Sequence, residues 1–195
     1  MRVPSFLARS SSLLRLAASA SALGALAFAL PAHADAPDSD AMRISAAGHS
    51  LDWVWTPPGH SEHFGHGETL IHAPLPAVRR TVLDFGKYKD LGPDIQMSKV
   101  IGKTPDGAAD VYLRIGVLNG MLSFWSVTHF TPLQANPDGT ERLEGRMVQG
   151  KGNVDDAQVI WTMHSAGPEW TVLKFDALLR PGVPAPQSLI DEQLR

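Results

Sequence analysis

The stretch IHAPLPAVRRTVLDFGKYKDLGP, residues 71–93, decides how the rest of the chain is read. Leu75, Val78, Val82 and Phe85 recur at intervals of three, four and three, while Arg79, Arg80 and Asp84 fall elsewhere around the wheel. That spacing predicts a helix with one apolar stripe. Ala73-Pro74 precedes it, and Pro76 suits a first turn, where a missing N–H costs nothing. Arg80 and Asp84 are four residues apart and can pair on the exposed side, although acid before base is the better order. Gly86 stops the helix, and Gly92-Pro93 allows at most one further turn. Upstream, residues 68–72 alternate as a strand does.

After Pro93 the pattern changes to β-rich stretches separated by Thr104-Pro105-Asp106-Gly107, Asn119-Gly120, Asn136-Pro137-Asp138-Gly139, Gly150 to Asn153 and Ala166-Gly167-Pro168. These turns predict strands near 95–103, 109–118, 121–133, 140–149, 156–164 and 171–179. Turns this short join antiparallel neighbours. Side chains at i and i+2 share a face, so Arg142, Glu144 and Arg146 turn Leu143, Gly145 and Met147 inward. By the same test Val159, Trp161 and Met163 point in beside Leu173, Phe175, Ala177 and Leu179, as do Val111, Leu113, Ile115 and Val117. The strand carrying Phe124, Trp125, Val127, His129 and Phe130 is apolar on both parities, which leaves its register open. The reading adopted places Trp125, Val127 and His129 inside.

Working back toward the start, residues 42–67 carry Trp53, Trp55, a Pro57-Pro58-Gly59 turn and then His60, His63 and His66, without a sustained period. They read as an arm that packs its two indoles onto the domain and covers the mouth of any cavity. Residues 35–40 read as a mobile polar tether. Before them, Arg2, Arg9 and Arg15 precede an acid-free apolar run ending in Pro31-Ala32-His33-Ala34, the pattern of a secretory signal peptide cleaved after Ala34. Its 15 apolar residues, 16–30, fall short of the roughly 20 that a membrane helix needs. No Arg pair precedes them, which favours the general export route, to periplasm or medium.

The whole chain of 195 residues has 17 basic against 20 acidic side chains, and loss of residues 1–34 leaves 14 against 20, a formal charge of −6. Such a balance excludes a broad positive field for nucleic acid. With no Cys there is no disulfide framework, thiolate metal site, catalytic thiol or lipoprotein anchor. At 44% hydrophobic and 19% charged residues, the chain reads as one ordinary globular domain.

Strand, Ala73-Pro74, helix, Asp84-Phe85, Tyr88, Pro93 and six further strands resemble the START, polyketide cyclase and coenzyme Q-binding superfamily, often called SRPBCC, over residues 65–195. The residues that carry the likeness are Ile71-His72-Ala73-Pro74, Val82-Leu83-Asp84-Phe85 with Tyr88 and Pro93, Trp161, Pro184-Ala185-Pro186 and Ser188-Leu189-Ile190. All are fold markers; none is a catalytic signature. The resemblance implies an α+β helix-grip fold: a curved antiparallel sheet of about seven strands wrapped on a C-terminal helix, one or two short helices after the first strand, and an apolar cavity between sheet and helix. Members bind lipids, sterols, quinones or polyketides there, and some catalyse ring closure. Two departures stand out. Arg79 occupies a place where the family often has a large apolar side chain, and the terminal helix, residues 187–195, spans only about 13 Å. Either the chain continues past Arg195 or the cavity opens to water. The implied organisation is a signal peptide (1–34), a tether and arm (35–66) and a START-like ligand-binding domain (67–195).

The expected binding wall comprises Leu113, Ile115, Trp125, Val127, His129, Leu143, Met147, Val159, Trp161, Met163, Leu173 and Phe175, with Gly145 and the two flexible methionines giving room for a guest. His129 or Arg114 would supply polar selectivity. His129 and His164 are the candidates for proton transfer if the chain is a cyclase, though a backbone-satisfied histidine explains either one. The His60, His63, His66 repeat lacks the spacing of known hydrolytic metal sites, and Asp155-Asp156 lacks a calcium-loop pattern, so neither a metal nor a cofactor is expected. There is no Gly-x-Ser-x-Gly elbow, Walker loop or His-Glu-x-x-His. The expected partner is a hydrophobic small molecule, with transient membrane contact and oligomeric state left open; an envelope interaction module without a ligand is the other non-enzymatic reading.

Overall fold

The computed structural model describes residues 38–59, 61–117 and 122–182. The expected signal peptide, His60 and the expected terminal helix at 187–195 lie outside the described residues. The elements run α1 (Ser39–Ala47), β1 (Leu51–Trp55), β2 (Phe64–Ile71), α2 (Leu75–Leu83), a 3-10 helix (Phe85–Asp90), β3 (Ile95–Lys103), β4 (Ala109–Val117), β5 (Leu122–Phe130), β6 (Gln134–Ala135), β7 (Glu141–Gly152), β8 (Val154–Ser165) and β9 (Thr171–Pro181). One antiparallel sheet of nine strands takes the order β1-β2-β9-β8-β7-β5-β4-β3, with β6 paired to β7. The architecture is α+β, as expected, and the six strands after Pro93 are all present. The sheet is open, and the short turns that close its hairpins include Gly107 and Gly139 at φ 98° and 84°, values that glycine adopts without strain.

α2 and the 3-10 helix seat on one face of this sheet. Val78, Val82, Phe85 and Tyr88 form a core with Ala109, Val111, Leu113, Phe130, Leu143 and Met163. Phe85 stacks on Phe130 with centroids 4.5 Å apart, Tyr88 meets Phe130 edge-on at 6.1 Å, and the Tyr88 hydroxyl donates to the Val82 carbonyl at 2.6 Å. Three polar contacts pin the ends: Thr171 donates to the Ala73 carbonyl at 2.8 Å, Ser98 donates to the Phe85 carbonyl, and the Arg79 guanidinium holds Glu141 from two nitrogens. Glu141 lies on the inward parity of β7, only 7% exposed, so the cation at position 79 answers a buried carboxylate instead of filling an apolar slot.

The face assignments for β4, β7, β8 and β9 agree with the structure. That for β5 is reversed. Phe130 pairs with Ala109, Thr128 with Val111 and Ser126 with Leu113, so Phe124, Ser126, Thr128 and Phe130 point inward while Trp125, Val127 and His129 face out. Apolar content favoured the wrong parity because the two buried hydroxyls are satisfied by each other, Ser126 to Thr128 at 3.3 Å. Val127 stays buried on the outer side beside Tyr112, its cross-strand partner.

The tether and arm differ as well. Of the expected tether, residues 38–40 begin α1: Asp38 caps it by accepting from the Ala41 amide at 2.8 Å, and Gly48 closes the helix at φ 73°. α1 buries only Ile44, too little to leave a periodic signal in the sequence. Trp53 and Trp55 belong to β1, paired with His66 and Phe64 of β2.

Gly145 is where packing is tightest. A Cβ built there would lie 2.7 Å from the Phe130 ring and 2.9 Å from the Thr128 methyl. The chain's own aromatic ring therefore fills the space that the sequence suggested for a guest. Gly145→Ala is expected to destabilise the fold by about 1–3 kcal/mol through overpacking against a ring that cannot swing aside, read as a lower urea midpoint with an unchanged m-value.

Candidate functional site

The inward residues at and beyond the margin of the helix-capped core form an apolar strip. Register across β2, β9, β8 and β7 aligns Gly67, Phe175, Trp161 and Leu143 in one row and Gly65, Ala177, Val159 and Gly145 in the next. Leu143 and Met163 are buried beneath the helices, whereas Val159, Trp161, Leu173 and Phe175 remain partly exposed. Ile115 and Met147 on the same face are also partly exposed, and Leu113 is buried. Trp161 and Phe175 pack with ring centroids 4.3 Å apart. Among the described residues, a Cβ on Gly67 of β2 would meet nothing closer than the Leu51 carbonyl at 4.0 Å.

One polar group belongs to this wall. The Trp161 indole N–H is buried and, among the described residues, has no hydrogen-bond partner. It lies toward the Tyr88 hydroxyl, where burial pushes the phenol pKa far up and the indole N–H pulls against it. That hydroxyl spends its proton on Val82, as described. A separate small cleft of about 250 Å³ is lined by Met147, Gln149, Asp155 and Asp156.

The candidate histidines lie elsewhere. His129 is outward and exposed, 2.6 Å from Asp110, and Arg114 also faces out, paired in register with Trp125. His164 bonds Asp38, the cap of α1, at 2.7 Å on the outer face. Neither imidazole faces the apolar strip, so a guest held there has no proton-transfer group of the expected kind within its wall. Asp38, Asp40 and His164 bring ligand-capable atoms within 4.8 Å of one another, but Asp40 is held by Lys174 at 2.6 Å and by Arg43 at 3.1 Å. The grouping is an ion-pair lock between α1 and the sheet.

His66 is the hub of that lock. Its Nδ1 lies 2.6 Å from Asp176 and its Nε2 3.1 Å from Glu68, with the Trp53 ring 4.3 Å away and Trp55 edge-on at 6.3 Å. Trp55 donates to Asp176 at 3.1 Å, Arg43 pairs with Glu68, and Lys174 reaches Glu68 at 3.6 Å. Burial disfavours a charged imidazole, but the two carboxylates outweigh it and hold the His66 pKa above its ordinary value. Lys174 and Arg43 likewise keep Asp40 below its ordinary value against burial, and for Glu68 burial is overcome by His66, Arg43 and Lys174. Trp53 and Trp55 thus sit on the face opposite Trp161 and do not cover the apolar strip.

No family model matches the sequence, and no curated protein does. Solved structures do match in shape. A STAR-related lipid transfer protein from Xanthomonas axonopodis aligns with a TM-score of 0.62 at 19% identity, over 74% of this chain and 84% of that one. The fold is START-like. The lipid transfer and protein localization domain of human StarD13 aligns at 0.55 and 15% identity, over 78% of this chain and 86% of that one. A START superfamily protein from Mycobacterium smegmatis aligns at 0.55 and 15% identity, over 66% and 84%. On this START-like frame, the sequence reading placed the strip's residues on the inward face but missed Glu141, a charge on an inward parity, and the His66 hub, whose advance signal was the charge of Glu68, Lys174 and Asp176 on one outward parity.

The hub gives a pH dependence with a definite sign. The His66 contribution to stability is complete below the ordinary imidazole pKa and is lost as pH rises through the raised folded value; the Asp40 and Glu68 contributions are present above ordinary carboxylate pKa values and are lost on acidification. Thermal unfolding across pH should therefore show greatest stability in the mildly acidic range, and His66→Gln should abolish the loss on the alkaline side.

Proposed function

We propose that the chain is an exported carrier that binds a hydrophobic small molecule, a lipid, quinone, sterol or polyketide-like compound, on the inward face of its sheet and exchanges it through transient membrane contact. The observation that carries this reading is the partly exposed apolar strip of Ile115, Met147, Val159, Trp161, Leu173 and Phe175, which the described helices cover only in part, with Val159, Trp161 and Leu173 packed on the margin of their core. In a folded chain, apolar surface on the inner side of a curved sheet costs free energy unless something covers it. Burying about 300 Å² of a guest at roughly 25 cal/mol per Å² contributes about 7 kcal/mol before association entropy. Micromolar affinity needs about 8 kcal/mol net, so the guest must bury well over ~300 Å².

The START-like shape supports the reading, and two neighbours of that shape are named for lipid transfer. Sequestration is the whole mechanism: apolar walls exclude water from the guest.

Native mass spectrometry of protein purified from its own host should show a bound adduct of lipid-like mass, and delipidated protein should take up a fluorescent fatty acid or sterol saturably. Val159→Trp should block uptake, and Phe175→Ala should weaken it by about tenfold, in line with the loss of a large buried contact. Absence of both adduct and saturable uptake would overturn the carrier reading.

A further inference from the structure

The outer face of β3, β4, β5 and the adjoining part of β7 carries three rows of side chains in register: Met97, Arg114 and Trp125; Lys99, Tyr112 and Val127; and Gly102, Asp110, His129 and Arg146. Met97 is 45% and Trp125 37% exposed, and the Tyr112 and Trp125 rings stack with centroids 5.8 Å apart. Lys99, Arg114 and Arg146 are exposed and, among the described residues, make no ion pair. The arginines that do, Arg43, Arg79, Arg142 and Arg180, lie elsewhere. The single carboxylate in these rows, Asp110, is engaged by His129.

Any one of these residues alone is an ordinary surface residue. Their combination is not what an acidic chain places at random: three unpartnered cations surround two stacked rings and a methionine on one sheet face. Tyrosine and tryptophan settle at the headgroup level of a bilayer, and long basic side chains lay their methylenes on apolar surface while delivering charge to phosphate. We propose that this face docks on an anionic lipid bilayer. Two other occupants fit less well. A second copy seated on the same patch by two-fold symmetry would set the three cations against their own images, and a nucleic acid would meet an acidic chain with no continuous basic track.

The inference assigns a surface to the membrane contact in the carrier reading, but it does not depend on a guest. The patch and the apolar strip are on opposite faces of the sheet, so vesicle binding and guest uptake can fail separately. The test uses protein purified from its own host, co-sedimented with vesicles of phosphatidylcholine alone or of phosphatidylcholine with phosphatidylglycerol at about two to one. Binding is expected only to the anionic vesicles and should fade as salt is raised. The double variant Lys99→Glu, Arg114→Glu should lower vesicle affinity at least about tenfold, and Trp125→Ala several-fold, with circular dichroism and guest uptake unchanged. Arg80→Glu, an exposed reversal on α2, should leave vesicle binding intact. Equal binding to neutral vesicles, no response to the double variant, or an equal response to Arg80→Glu would overturn the proposal. So would a concentration-dependent dimer that Trp125→Ala dissolves in a protein that ignores vesicles, or preferential retention of DNA.

Discussion

Phe130 divides the inward face of the sheet. Its ring is fully buried, stacked on Phe85, met edge-on by Tyr88, and seated in the space that Gly145 leaves vacant. With that ring in place the helix and the 3-10 turn have a platform, and the part of the sheet beneath them becomes solid core. The rest follows from geometry. α2 has nine residues, about 13 Å of helix, while the eight strands of the main path span roughly 34 Å at their usual spacing. A helix of that length cannot cover such a sheet. Tyr88 meets Trp161 edge-on at 6.2 Å, and Val159 and Leu173 lie at the margin of the same core, so these residues are partly exposed because the described helices cover them only in part.

What the sequence disclosed, and what it hid, separates along one physical line. β4, β7, β8 and β9 could be oriented because charge alternates with apolar side chains, as in Arg142, Glu144 and Arg146, or Lys174 and Asp176. β5 could not, since both of its faces are buried in part and the polar side chains, Ser126 and Thr128, are the inward ones. α1 and β1 escaped because their attachment is ionic and aromatic: Ile44 alone is buried in the helix, and Trp53 and Trp55 rest on His66, itself held between two carboxylates. Glu141 escaped because its partner, Arg79, lies 62 residues away. Hydrophobic periodicity registers burial by apolar contact; it is blind to burial by ion pairing.

The outer face shows the same division in its charges. Over β2, β9 and β8, acids and bases interlock: Asp38 with His164, Asp40 with Lys174, Glu68 with Arg43 and His66. No single pair in such a network needs to contribute much, since partly exposed ion pairs are worth little each. Their joint effect is to fix α1 and β1 on that side, so that the acids there are spent internally. Over β3, β4 and β5 the acid in register, Asp110, is taken by His129, and Lys99 and Arg114 make no ion pair among the described residues. An acidic chain can therefore present a basic face without a change in net charge, because pairing, and not composition, sets the local field.

Glycine makes the last distinction, between space a chain fills and space it leaves. Gly145, Gly65 and Gly67 all lie on inward parities, and sequence alone gives no reason to treat them differently. At Gly145 the missing side chain is replaced at once by Phe130, so the residue serves close packing. At Gly67 no described side chain replaces it, and the neighbouring Phe175 and Trp161 stay partly exposed. The Trp161 ring lies in this same row, packed on Phe175 and met edge-on by Tyr88, and its indole N–H lies toward the Tyr88 oxygen, whose own proton goes to Val82. Inward apolar side chains that stay partly exposed among the described residues cost free energy unless something covers them. The difference between the two glycines is therefore one of neighbours and not of residue type.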